Sequence, residues 1–85
     1  MFAEFVVNTC FKLSDLGLVA SGEVTEGEIS EGAQGKTPKG KVFTLVKIDI
    51  HGEHAHTIHK NDKANLFIKN IDFSEIRPWA TLYFY

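Results

Sequence analysis

The sequence predicts an all-β domain, a small antiparallel β-barrel, from three observations. Apolar and polar residues alternate along most of the chain, which is the period of a strand with one buried face. Glycines at Gly22, Gly27 and Gly32 recur every five residues in "SGEVTEGEISEG", with Val24 and Ile29 between them. Only one short stretch offers a helical turn, and several short strands with turn signals and almost no helix point to a small barrel. The 85 residues are expected to form one domain, 1–85, around one core. A chain of that size buries only about 60–65% of its unfolded surface.

In the first segment, Ala3, Phe5, Val7, Phe11 and Leu13 share one parity while Glu4, Asn8 and Lys12 take the other, so a strand with a single buried face is expected. Gly27, flanked by Val24 and Ile29, suits a left-handed turn residue between two strands. Gly22 inside a strand implies a bulge or a close backbone approach, and Gly32 a second turn. Residues 33–41, "AQGKTPKGK", have no apolar residue beyond Ala33 and read as an exposed loop. "VFTLVKIDI", residues 42–50, sets Val42, Thr44, Val46, Ile48 and Ile50 on one face and Phe43, Leu45, Lys47 and Asp49 on the other. "NLFIKNI" and "ATLYFY", at 65–71 and 80–85, are rich in aliphatic and aromatic strand formers. Around 72–76 "DFSEI" offers one helical turn, capped by Asp72 or Ser74 and ended by Pro78.

Composition narrows the function classes. Cys10 is the only cysteine, so an intramolecular disulfide is excluded and a reducing, cytoplasmic setting is the expectation. The start "MFAEFVVNTC" lacks the basic region of a signal peptide, and no apolar run approaches a membrane span, so no membrane association is expected. A formal charge of −2 gives no bulk attraction to nucleic acid, so RNA binding would need a local basic patch. Lys36, Lys39 and Lys41 form the one basic cluster and are the candidate RNA contacts. Catalytic constellations are lacking: Cys10 lies in an apolar strand with no nearby cation in sequence, and Glu23, Glu26, Glu28 and Glu31 alternate with structural residues on a solvated hairpin. No enzyme activity and no cofactor are expected.

The residues also carry a family resemblance. "GLVASGEVTEGEISEG" resembles the G-x-V-x-x-G-x-V-x-x-G-x-[IL]-x-x-G stretch in domain II of translation GTPases, best known from elongation factor Tu. "VKIDIHGEHAHTIHKNDKANLFIKNIDFSEIRPWATL" is similar to that family's second half, so the likeness runs over roughly residues 11–82. Asn61, Asn65 and Asn70 stand where family members often have glycine, as does Trp79; asparagine tolerates the left-handed conformation better than other non-glycine residues. The resemblance implies a domain II β-barrel, here as a stand-alone domain without the GTP-binding domain of whole factors. It also implies a surface pocket for the terminal adenosine of tRNA, whose matching positions fall on Glu31, Asp49 and Phe67. Asp49 keeps an acid suited to a ribose hydroxyl, Phe67 supplies a stacking face, and Glu31 replaces an aliphatic residue. The loop that other members place against ribosomal RNA matches "SDLGL", residues 14–18, with Asp15 or Leu16 in place of the family's arginine.

Two nucleotide-like strings are accidental. "GKT" at 35–37 resembles the end of a P-loop, but the first glycine of that motif would fall on Ser30. "HKND" at 59–62 resembles a guanine-reading motif with His59 in place of asparagine, so no GTP binding is expected. In "HGEHAHTIH", His54 and His56 would project from one strand face, compatible with zinc if Glu53, Asp49 or His51 came near. A solvated hairpin around Gly52 is the reading adopted, with no metal. The function expected is a non-catalytic binding module with tRNA or ribosomal RNA as partner. The alternative is a protein–protein or homodimer module using Phe43, Trp79, Tyr83 and Tyr85, and a zinc-binding hairpin stands third.

Overall fold

A computed structural model of the protein describes residues 2–13 and 17–85. Among these residues nine strands are formed: β1 Ala3–Lys12, β2 Leu18–Glu26, β3 Glu28–Ser30, β4 Gln34–Lys36, β5 Val42–Ile50, β6 Glu53–Ala55, β7 Thr57–His59, β8 Lys63–Lys69 and β9 Thr81–Phe84. A 3-10 turn, Phe73–Glu75, occupies the place expected for a helical turn; Asp72 sits at its N-cap position without a side-chain hydrogen bond to it. All pairings are antiparallel. The order β4-β9-β1-β2-β8-β5, with β5 returning to β4, closes a six-stranded barrel. Closure satisfies the backbone groups that an open sheet edge would expose. One edge of β5 is shared between β4, at residues 42–44, and β6, at residues 48–50. The short strands β3 and β7 form a separate ribbon.

Inward side chains from β1, β2, β5, β8 and β9 fill the interior, among them Phe5, Phe43, Leu45, Ile48, Leu66, Ile68, Leu82 and Phe84. Phe43 and Phe84 meet edge to face, 5.5 Å between ring centroids. Phe43, expected among the exposed aromatics of a protein-binding surface, is therefore a core residue and leaves that list.

Two β-bulges overturn the strict alternation expected for β1 and β5. The β1–β2 register shifts between Val7 and Thr9, leaving Asn8 as the extra residue, so Cys10 turns toward the core and Phe11 turns out, 48% exposed. The β5–β8 register shifts between Leu45 and Lys47, with Val46 extra. Phe43 and Leu45 are buried before the bulge and Ile48 after it, whereas Val42 and Val46 face solvent. One inserted residue moves every following side chain to the other face.

Residues 33–41 are not a loop throughout. β4 lies between β5 and β9 and completes the barrel, and Thr37 is buried. Gly35 is required there because a Cβ would stand 2.5 Å from the Phe43 ring. The rest is a tight turn, held by the Thr37 N–H donating to the Lys41 carbonyl at 2.9 Å and the Lys41 N–H donating to Thr37 Oγ1 at 3.1 Å. Gly27 and Gly32 take positive φ, as expected for turn residues. Gly22 lies opposite Val7 where β1 bulges, and a Cβ there would collide with the Val6 carbonyl oxygen. Asn61 and Asn70 take positive φ, while Asn65 is an ordinary strand residue.

Candidate functional site

The outer face of the barrel is built in rows across β1, β2, β8 and β5. Register places Phe11, Val19, Phe67 and Lys47 in one row and Thr9, Ser21, Asn65 and Asp49 in the next, with His54 of β6 following Asp49. The first row is apolar and ends on a cation. Lys47 Nζ lies 5.2 Å from the centre of the half-buried Phe67 ring. The second row is a polar relay: Ser21 Oγ donates to Asn65 Oδ1, and Asn65 Nδ2 donates to Asp49 Oδ2 at 3.3 Å. Asp49 Oδ2 also accepts the Gly52 N–H at 3.1 Å across the β5–β6 turn, where His51 and Gly52 both have positive φ.

Glu31 reaches the end of this face from the turn after β3. Its backbone N–H donates to the His56 carbonyl at 2.9 Å, and its Oε2 accepts the Ile48 N–H at 3.3 Å. Oε2 also contacts His54 Nε2, and Oε1 lies 3.0 Å from His56 Nδ1. The hydrogen bond from His54 is the main influence holding the Glu31 carboxyl below its ordinary range; the Ile48 N–H and the charges of His54 and His56 act in the same direction. The expected ligand residues thus connect through neighbours: Phe67 touches Lys47, Lys47 and Asp49 share a strand face, Asp49 pairs with His54, and His54 touches Glu31. Sequence reasoning sought the third partner of the histidine pair at Glu53, Asp49 or His51. Glu31 escaped because the β3–β7 pairing, not proximity in sequence, brings it there.

Lys36, Lys39 and Lys41 are all exposed, and the ion pairs among the described residues involve none of them. Lys36 leaves β4 and lies 5.3 Å from the centre of the Tyr85 ring. Of the loop expected at 14–18, residues 14–16 lie outside the described residues. Burial pushes the Cys10 thiol up, the opposite of what an activated nucleophile needs. An open concavity of about 450 Å³ lies beside the β1 bulge, lined by Val6, Asn8, Gly22, Lys63 and Trp79 and by Ser21 of the polar row. Trp79 stands in a turn over residues 77–80 with Pro78 before it, a positive φ of 69°, and the Ala80 N–H closing on the Arg77 carbonyl at 3.1 Å. These are the features of a type II turn, whose third position normally belongs to glycine or asparagine.

A closed six-stranded antiparallel barrel with a β3–β7 ribbon beside it is a translation-factor domain II-like fold. In particular, the chain is similar to elongation factor SelB from Methanococcus maripaludis in its apo form, with a TM-score of 0.90 and 18% identity over 98% of this chain and 18% of that one. The same factor in complex with the GTP analogue GPPNHP gives a TM-score of 0.88 at 18% identity, over 98% of this chain and 19% of that one. A bacterial selenocysteine-specific elongation factor, EF-Sec, gives 0.84 at 21% identity, over 94% of this chain and 14% of that one. The chain therefore spans less than a fifth of the length of these factors. No protein-family model and no curated protein matches the sequence.

Proposed function

We propose that this chain is a non-catalytic binding module of the translation apparatus, working in the cytoplasm, whose outer face takes the adenosine end of a tRNA or a stretch of ribosomal RNA. The observation that carries this reading is the placement of Asp49 and Phe67 on neighbouring rows of one face, both half-buried, with Lys47 beside the Phe67 ring. Phe67 offers a ring on which a base can stack, Lys47 a charge that can pass from the ring to a phosphate, and Asp49 a second carboxylate oxygen for a ribose hydroxyl. Glu31 borders the site and opposes phosphate at that end, which favours an entry from the lysine side. Lys36, Lys39 and Lys41 supply a separate basic edge for backbone contacts. The module performs no chemistry and takes no GTP, because the two nucleotide-like strings lie at a closing strand and in the turn between β7 and β8 rather than in a strand–loop–helix context.

The test is an NMR titration with a short RNA ending in adenosine, on wild type and Phe67→Ala. Loss of one base–aromatic stack should weaken binding by about 1–3 kcal/mol. Shift changes centred on Trp79 and Tyr83, with Phe67→Ala binding normally, would reject the pocket. They would favour the second reading, a protein-binding or homodimer surface. That reading draws on the exposure of Trp79, Tyr85 and Phe2, with the Phe2 ring 6.1 Å from that of Tyr83. Sizing at two concentrations separates a homodimer from a monomer.

A further inference from the structure

The cluster of Glu31, His54 and His56 does more than border the RNA face. Two imidazoles, 4.8 Å apart between ring centroids, converge on one carboxylate. One donor atom from each of the three residues lies within 4.8 Å of the other two. Four ligands at ordinary zinc distances of about 2.0–2.1 Å stand about 3.3 Å apart in a tetrahedron. The 3.0 Å separation of His56 Nδ1 from Glu31 Oε1 is already near that value, and the two exposed histidine side chains have room to make the remaining adjustment. We propose that Glu31, His54 and His56 form a binding site for a borderline-soft divalent cation of the Zn²⁺ class, with water completing the coordination.

Three features support the assignment. Two imidazoles and a carboxylate are a donor set that suits zinc and is poor for Mg²⁺ or Ca²⁺, which prefer all-oxygen shells. The carboxylate is held from behind by the Ile48 N–H, the outer-shell support that metal ligands usually have. The backbone is fixed as well, since the Glu31 N–H to His56 carbonyl bond ties the two ligand segments together without the ion. His59, by contrast, meets Glu28 and Asp62 with a single imidazole and serves as an internal control. A bound ion would clamp the segment joining β6 to β7 to the turn after β3.

The experiment is calorimetric titration of the whole chain with Zn²⁺ in chelator-free buffer near neutral pH, with Mg²⁺ in parallel. One Zn²⁺ per chain should bind, Mg²⁺ should not, and the melting temperature should rise with Zn²⁺ concentration. His54→Ala, His56→Ala and Glu31→Gln should each lower the affinity at least about tenfold, since even outer-shell changes cost that much. His59→Ala should leave it unchanged. Substituted Co²⁺ should give the visible absorption of a low-coordinate site. Circular dichroism in chelator identifies any variant that fails to fold, and Glu31→Gln keeps an acceptor for the Ile48 N–H. Absence of stoichiometric Zn²⁺ binding, or loss shared equally by His59→Ala, overturns the proposal. Because the titrant is the metal alone, the result is independent of whether the barrel binds RNA.

Discussion

Trp79 carries a conformation that its side chain opposes. A left-handed backbone costs an L-residue roughly 1–2 kcal/mol, and the ring recovers little of that by burial because it is 75% exposed. Glycine removes the strain but adds freedom to the unfolded chain, worth about 0.5–1 kcal/mol. Trp79→Gly should therefore be neutral to stabilising, by up to about 1 kcal/mol in urea denaturation. A loss above about 1 kcal/mol would mean that the indole packs better than its exposure implies. Strain retained at an exposed aromatic beside an open concavity is the pattern of a surface kept for binding, so the same variant should be included in the RNA and sizing experiments. Asn61 and Asn70 show the milder solution, because asparagine accepts positive φ more readily. Asn65 differs: it is a strand residue that spends its amide bridging Ser21 and Asp49, a role that only the β2–β8–β5 register reveals.

At the level of elements, the bulge in β5 decides which half of an apolar run reaches the core. Strict alternation would bury Val46 together with Ile48. The inserted residue exposes Val46 and buries Leu45 and Ile48. Val46→Lys should then cost no more than about 0.5 kcal/mol, while Ile48→Ala should cost about 2–5 kcal/mol. Comparable losses in the two variants, read as urea midpoints, would restore the unbroken alternation. The bulge also serves the candidate site: by shifting parity it sets Lys47 and Asp49 outward beside Phe67 and Asn65 while Ile48 stays inside. Outward placement of Asp49 was legible from its opposition to Ile48. The inward turn of Phe43 and Leu45 was not, because an extra residue in an apolar strand leaves no mark in the pattern.

For the whole molecule, closure depends on β4, three residues with no apolar side chain. Their contribution is backbone pairing with β5 on one side and β9 on the other, and at Gly35 the space that admits Phe43. Amides of β4 that bond into the sheet should exchange with solvent as slowly as their neighbours around Phe43 and Phe84, measured by NMR hydrogen exchange. Exchange at loop rates would mean that the barrel opens at this seam. No helix among the described residues is long and apolar enough to cross a membrane.

The sequence by itself determined the all-β class, the glycine and asparagine turns, the short turn before Pro78, and the likeness to a translation-factor barrel. Each of these rests on local chemistry: alternation, φ preference and turn residues act over a few neighbours. Only the tertiary structure decided where alternation breaks, which strand closes the barrel, and that Glu31 meets His54 and His56. Bulges, closure and that cluster depend on pairing between segments far apart in the chain, for which no local pattern carries a signal. Asp49 and Phe67 lie between the two cases. Their exposure could be read from strand parity, but their position on neighbouring rows of one face exists only because β5 and β8 pair in this register.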